Sequence, residues 1–159
     1  MFNSDYQLSL KIETAFEALL KSRGNLTENS QKSGAFSKWD ISSTATTKGN
    51  KINTFEIKVN SQYKAASYEG GSVVIELCRV IDEKKEPAGI SATQADFYVF
   101  SFVSDPNFYI IETKQLKELI EKRSQNNKHL VVDRKGYHLM IFKKDYLLQH
   151  CKKINNNIL

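Results

Sequence analysis

Glu56 and Lys58 stand two residues apart in the stretch Asn53-Thr54-Phe55-Glu56-Ile57-Lys58-Val59-Asn60. The stretch alternates as a β-strand does. Phe55, Ile57 and Val59 fall on one apolar face; Glu56, Lys58 and Asn60 fall on the other. A carboxylate and an amine then share a sheet face, about 7 Å apart along the strand. Such a pair suits metal-dependent chemistry at a phosphodiester. The carboxylate holds a divalent cation, and the ammonium orients a water or balances charge at the scissile phosphate. Taken alone, E-x-K is more commonly an ion pair on a solvated face. The rest of the chain has to supply the missing parts.

A second carboxylate comes from the preceding segment. Lys38 to Thr46 reads as a strand with Trp39 and Ile41 facing one way, and Asp40 and Ser42 the other. Lys48-Gly49-Asn50-Lys51 reads as the turn that joins it to the Glu56 strand. In that antiparallel hairpin Asp40 and Glu56 share a face, and two carboxylates with a lysine can hold a hard cation. A third carboxylate is offered by the first helix, expected over residues 5–23. There Leu8, Ile12, Ala15, Phe16 and Leu19 form the apolar stripe. Ser4 or Asp5 is the expected cap, and Gly24 the stop. Glu13 lies at the edge of the stripe and Glu17 further round toward solvent, so Glu13 is the better placed of the two.

The remaining elements frame these residues. Residues 25–36 read as a polar loop. Ser61 to Gly71, with Tyr63, Lys64 and Tyr68, reads as a loop of aromatic and basic character. Ser72 to Cys78 is an apolar strand interrupted by Glu76, which either pairs with a cation or belongs to the site. Asp82 to Pro87 is a charged turn. Residues 88–96 read as a loop entering a short helix, with Ser91 as cap. Strands are expected over Phe97 to Val103 and Phe108 to Glu112. A helix capped by Thr113 follows to about Arg123, and then a hairpin of His129 to Val132 with Tyr137 to Phe142. A last helix is expected from about Lys144 to Ile154.

With 159 residues, 40% hydrophobic and 26% charged, the chain is expected to form one domain, residues 1–159. Its net charge of +5 suits a polyanionic partner. The first ten residues lack the charged-then-apolar pattern of a signal peptide, and the longest apolar run is too short to span a bilayer. No membrane association and a cytoplasmic location are therefore expected. Cys78 and Cys151 read as free thiols. His129, His138 and His150 fit no metal-ligand spacing. The absence of a G-x-x-x-x-G-K-S/T loop argues against ATPase, helicase or kinase roles.

A helix with Glu13, a strand with Asp40, a strand with Glu56-x-Lys58, then strand, helix and strand resemble the PD-(D/E)XK nuclease superfamily. Trp39 stands where that pattern has proline. Glu13 is placed before Leu20 and Gly24 much as the helix glutamate is in archaeal-type Holliday junction resolvases. A narrower resemblance joins Phe55-Glu56-Ile57-Lys58, Gly71-Ser72-Val73-Val74-Ile75-Glu76-Leu77, Gly89-Ile90-Ser91 and Ala95-Asp96-Phe97-Tyr98-Val99 to small nuclease-like proteins of phages and their hosts. Together the resemblance spans roughly residues 10–123. It implies an α/β fold of the restriction-endonuclease-like type: an αβββαβ core, its central mixed sheet flanked by helices, here with a C-terminal β-hairpin and helix added.

The same resemblance implies a Mg²⁺-dependent endodeoxyribonuclease, with Mn²⁺ able to substitute. Asp40 and Glu56 would ligate the metal, with the Ile57 carbonyl a further candidate ligand. Lys58 would act on the water or the phosphate, and Glu13 would bind a second metal or a metal-bound water. Glu76 is a weaker candidate for that shell, and Lys64 and Gln94 are candidates for contact with the DNA backbone. Branched DNA is the favoured substrate, with a homodimer expected because two strands need two active sites. A phage-encoded chain would act in the host cytoplasm. The alternative is a catalytically inactive nucleic-acid-binding module on the same fold, which the basic charge and the Tyr63, Lys64 and Tyr68 loop also suit. A protein-interaction factor is a third class, without a positive signal in the sequence.

Overall fold

Phe2–Ser22 forms the first helix, α1. It starts before the expected caps, since Ser4 and Asp5 lie inside it. It ends as expected at Gly24, whose φ of 83° suits a residue without Cβ. The computed structural model describes residues 2–29, 40–45, 51–60, 71–103, 105–125 and 130–155. Across these the chain is mixed α/β, with two sheets and three helices among the described residues.

The first sheet runs β1 (Asn25–Asn29), β2 (Ile41–Ala45), β3 (Ile52–Asn60), β6 (Phe97–Phe102), β7 (Asn107–Glu112) and β10 (Lys152–Asn155). Neighbours are antiparallel except β3 and β6, which are parallel. Two sequence expectations are corrected here. Residues 25–29, read as loop, pair residue for residue with β2. The last helix is only α3 (Lys144–Leu148), and the chain then returns as β10 along β7. Both strands are polar and short. Their partners lie far along the chain, and local composition does not reveal such pairing.

The parallel β3–β6 pair requires a crossover. A helix was expected there. Instead the chain leaves the first sheet and builds a second, in the order β5 (Lys84–Pro87), β4 (Ser72–Ile81), β9 (Tyr137–Lys143), β8 (Leu130–Val132). Asp82 and Glu83, with φ of 49° and 66°, make the tight turn between β4 and β5, so Lys84–Pro87 is strand and not turn. The expected short helix is a single 3₁₀ turn, Gly89–Ser91. Ser91 closes that turn rather than opening a helix: its Oγ accepts from Ala88 N and donates to Ala88 O. The C-terminal hairpin, expected as an appendage, is half of this sheet, because β9 pairs along most of β4.

The two faces of the first sheet carry separate cores. Phe55, Ile57, Val99 and Phe108 meet Phe16 and Leu19 of α1. The Phe16 ring sits edge-on to Phe55 and Phe108, with both centroid distances 5.2 Å, and burying a side chain of this size stabilises by about 2–3 kcal/mol. On the opposite face Tyr98, Phe100 and Ile111 pack against Val73, Ile75, Met140 and Phe142 of the second sheet. Leu116 of α2 (Thr113–Ser124) and Leu147 of α3 join that core. Thr113, expected to cap α2, is its first residue and is buried; Glu112 occupies the cap position. No described helix is long and apolar enough to cross a membrane.

Asp105 fixes the turn from β6 into β7. Its carboxylate accepts from Asn107 N at 2.9 Å, Asn107 Nδ2 at 2.8 Å and Tyr109 Oη at 2.7 Å. Burial pushes this carboxyl up, but the bonds from Tyr109 and Asn107, with Lys144 nearby, outweigh it and hold it below the usual carboxylate range. A carboxyl depressed on folding stabilises above its unfolded value and loses that contribution as pH falls through its folded value. Losing these three hydrogen bonds in Asp105→Ala, at a largely solvated carboxylate, should cost about 1 kcal/mol at neutral pH. The deficit should shrink below about pH 4, as followed by urea unfolding at a series of pH values.

Candidate functional site

The site is set by register. β2 begins at Ile41, which pairs with Phe55. The next step back places Asp40 beside Glu56. Asp40 N donates to Phe55 O at 2.9 Å, and Asp40 Oδ2 accepts from Ile57 N at 2.8 Å. Its carboxylate thus takes up a backbone donor of β3 at the point where β2 starts. That bond ties it to the backbone of β3 between Glu56 and Lys58. Asp40 is 8% exposed.

Glu56 and Lys58 leave β3 on the face opposite α1. Lys58 Nζ lies 3.1 Å from Glu56 Oε1, with side-chain exposures of 42% and 19% respectively. Thr93 Oγ1 donates to Glu56 Oε2 at 3.5 Å, a long contact. Burial pushes the Glu56 carboxyl above its usual range; Lys58 opposes this, and the neighbouring Asp40 adds to it. Burial pulls the Lys58 ammonium down, but Glu56, with Asp40 and Glu76, outweighs it and holds the amine above its usual value. Lys58 is therefore charged at neutral pH. Ionised Glu56 is at a disadvantage there, which a cation would relieve.

Asp96 locks the register of the parallel pair. Its Oδ2 accepts from Thr54 N and Thr54 Oγ1, both at 3.1 Å, and its own N–H donates to Thr54 Oγ1 at 2.9 Å. Two residues on, Tyr98 falls opposite Glu56. Tyr98 is 1% exposed, and its hydroxyl has no hydrogen-bond partner among the described residues. Burial raises the phenol, and the charges of Glu56, Glu76 and Asp40 raise it further, so its proton stays on.

Glu76, from β4, shares a small cavity with Lys58, Tyr98 and Gly89. Gly89 has φ of 54°, and a Cβ there would lie 2.3 Å from the Glu76 carbonyl oxygen and 2.5 Å from its Cβ. Only glycine lets the 3₁₀ turn approach β4 this closely.

The expected residues are thus sorted. Asp40, Glu56 and Lys58 are brought together, with Glu76 close enough for its charge to act on Lys58. Glu13 is 4% exposed on α1, on the Phe55 and Ile57 side of the sheet. Glu17, expected toward solvent, is 8% exposed. Its Oε1 accepts from Thr27 Oγ1 and pairs with Lys21 Nζ, both at 3.1 Å, and so ties α1 to β1. Gln94 is exposed beside Thr93. Lys64, with Tyr63 and Tyr68, lies outside the described residues, as does Trp39. Tyr98, Thr93 and Asp96 were not expected as site residues. A tyrosine among phenylalanines in a buried strand was the available signal, because a buried phenol needs a partner.

Among the described residues no three Asp, Glu, His or Cys side chains form a ready metal cage. Mg²⁺ does not require one. It keeps several waters and is typically held by one or two carboxylates together with substrate phosphate oxygens. Asp40 and Glu56, two neighbouring carboxylates at a partly buried edge, fit that demand. No protein-family model matches the chain, and neither a curated protein nor a solved structure matches it significantly.

Proposed function

We propose that this chain is a metal-dependent endonuclease that hydrolyses phosphodiester bonds in DNA, on a core of the restriction-endonuclease-like type. The observation that carries the reading is the Glu56–Lys58 pair at 3.1 Å, beside an Asp40 carboxylate anchored on the Ile57 amide. The topology supports it. One helix is followed by an antiparallel β1–β2–β3 meander and a parallel fourth strand, β6. Here β1 completes the meander, and the strand at 72–81 belongs to the crossover.

In this reading Asp40 and Glu56 would hold Mg²⁺ or Mn²⁺, which would supply Lewis-acid polarisation of the phosphoryl group and a more acidic water. Lys58 stays protonated, which suits it to neutralising charge on the phosphate rather than to abstracting a proton. Glu13, buried on α1 on the Phe55 and Ile57 side of the sheet, would orient a metal-bound water in this reading. The net charge of +5 favours a polyanionic substrate. A homodimer acting on branched DNA belongs to the same proposal.

The test is cleavage of labelled linear, single-stranded and four-way-junction DNA with Mg²⁺, Mn²⁺ or EDTA. Metal-dependent cutting is expected, abolished by EDTA, and the preferred substrate names the subclass. A folded protein that binds DNA without metal and cuts none of these is instead the inactive binding module.

A further inference from the structure

The proposed chemistry uses the carboxylates and Lys58 but leaves one polar group of the site without a task. The Tyr98 hydroxyl is buried, has no hydrogen-bond partner among the described residues, and sits on the strand position facing Glu56. Tyr98 is among the residues around a cavity of about 100 Å³ between the two sheets, together with Lys58, Glu76 and Gly89. That volume exceeds the roughly 10–15 Å³ needed to admit a water, and the walls are polar enough to hold an oxygen ligand. Leaving a buried phenol unbonded is unfavourable, and phenylalanine would fill the same volume without that penalty. The neighbouring strand positions already carry phenylalanine at 97, 100 and 102.

We propose that Tyr98 is a further catalytic residue: its hydroxyl donates a hydrogen bond to a phosphate oxygen seated in this cavity, beside the Lys58 ammonium. The proposal rests on the phosphodiesterase reading. Tyr98 and Lys58 are the two residues around the cavity whose side chains carry donor protons, and a phosphate oxygen is an acceptor that suits both. Glu76 and Glu56 are acceptors when ionised. They repel the phosphate unless cations intervene, so the oxygen is directed toward Tyr98 and Lys58. Tyr98 itself neither gains nor loses a proton. It stabilises charge that builds on the phosphoryl oxygens as the attacking oxygen joins phosphorus and the leaving oxygen departs.

The test compares wild type with Tyr98→Phe. Loss of one preorganised donor should lower kcat about 100-fold. KM for DNA and the Mn²⁺ affinity measured by calorimetry should stay within about threefold. The melting temperature should hold or rise, since an unbonded hydroxyl has been removed. A kcat within about threefold of wild type overturns the proposal and leaves the nuclease reading standing.

If wild type cuts no DNA, that reading has failed, and calorimetric titration of inorganic phosphate in the presence of Mn²⁺ decides the role of Tyr98. Binding about tenfold weaker in Tyr98→Phe supports the donor; equal binding, or none to wild type, overturns it. Should Tyr98→Phe fail to fold, wild type crystallised with Mn²⁺ and orthovanadate answers the question. A vanadate oxygen about 3 Å from Tyr98 Oη supports the assignment, and water alone in the cavity overturns it.

Discussion

Glu56→Gln is expected to lower metal-dependent DNA cleavage by about 10³-fold or more while the protein stays folded, and Lys58→Met by about 10²- to 10³-fold. The two should separate in stability. Ionised Glu56 is disfavoured in the folded chain, first by burial and then by Asp40. A carboxyl raised on folding is most favourable below its unfolded value, and that contribution is lost as pH rises through its folded value. Glu56→Gln removes this liability but also removes the partner that most strongly holds Lys58 charged. The two effects oppose, so its melting temperature at pH 7 should stay near that of wild type. Lys58→Met instead leaves Glu56 facing Asp40 without the cation. It should melt lower than wild type at pH 8, approach it near pH 5, and regain stability on addition of Mg²⁺. Melting curves across pH, with and without metal, read all three. A Lys58→Met protein whose stability deficit is independent of pH would sink this account of the pair.

The parts of the site that lie close in sequence were legible there. The period-two alternation of β3 puts Glu56 and Lys58 on one face wherever the strand packs, and a short hairpin brings Asp40 alongside. What was not legible depends on distant pairing. Residues 25–29 are polar and become a strand only because β2 offers its edge. Residues 152–155 leave the helical pattern only because β7 does the same. The second sheet is harder still. Nothing within residues 72–81 says that their partner is 137–143, or that the β3–β6 crossover is built from strands rather than a helix. Tyr98 shows the consequence for function. Its identity was visible, but its place opposite Glu56 follows from a parallel register fixed by Asp96 and Thr54. The Glu17 expectation failed for a related reason: its partner, Thr27, lies on a strand that the composition concealed.

Gly89→Ala should be the most damaging single methyl added near the site. The residue has φ of 54°, and the new Cβ would lie 2.3 Å from the Glu76 carbonyl oxygen and 2.8 Å from its carbonyl carbon. These are backbone atoms of β4, a strand held on both sides by β5 and β9, so no side chain can swing away to make room. Left-handed strain and overpacking together should cost about 2–5 kcal/mol, or about 10 °C in melting temperature for a chain of this size. The way out is for the 3₁₀ turn to lift off β4, which opens the wall between Glu76 and Tyr98. Gly136→Ala separates that effect from simple loss of stability. Gly136 has φ of 85° and its Cβ would lie 2.2 Å from the Val80 carbonyl oxygen, the same kind of clash four residues further along β4. Both variants should melt lower by similar amounts. Assayed well below their melting temperatures, Gly136→Ala should cut DNA at close to the wild-type rate, and Gly89→Ala should lose at least about tenfold, because only the latter disturbs the cavity proposed to seat the phosphate. Equal activities in the two variants would mean that the turn at Gly89 supports the fold and not the chemistry.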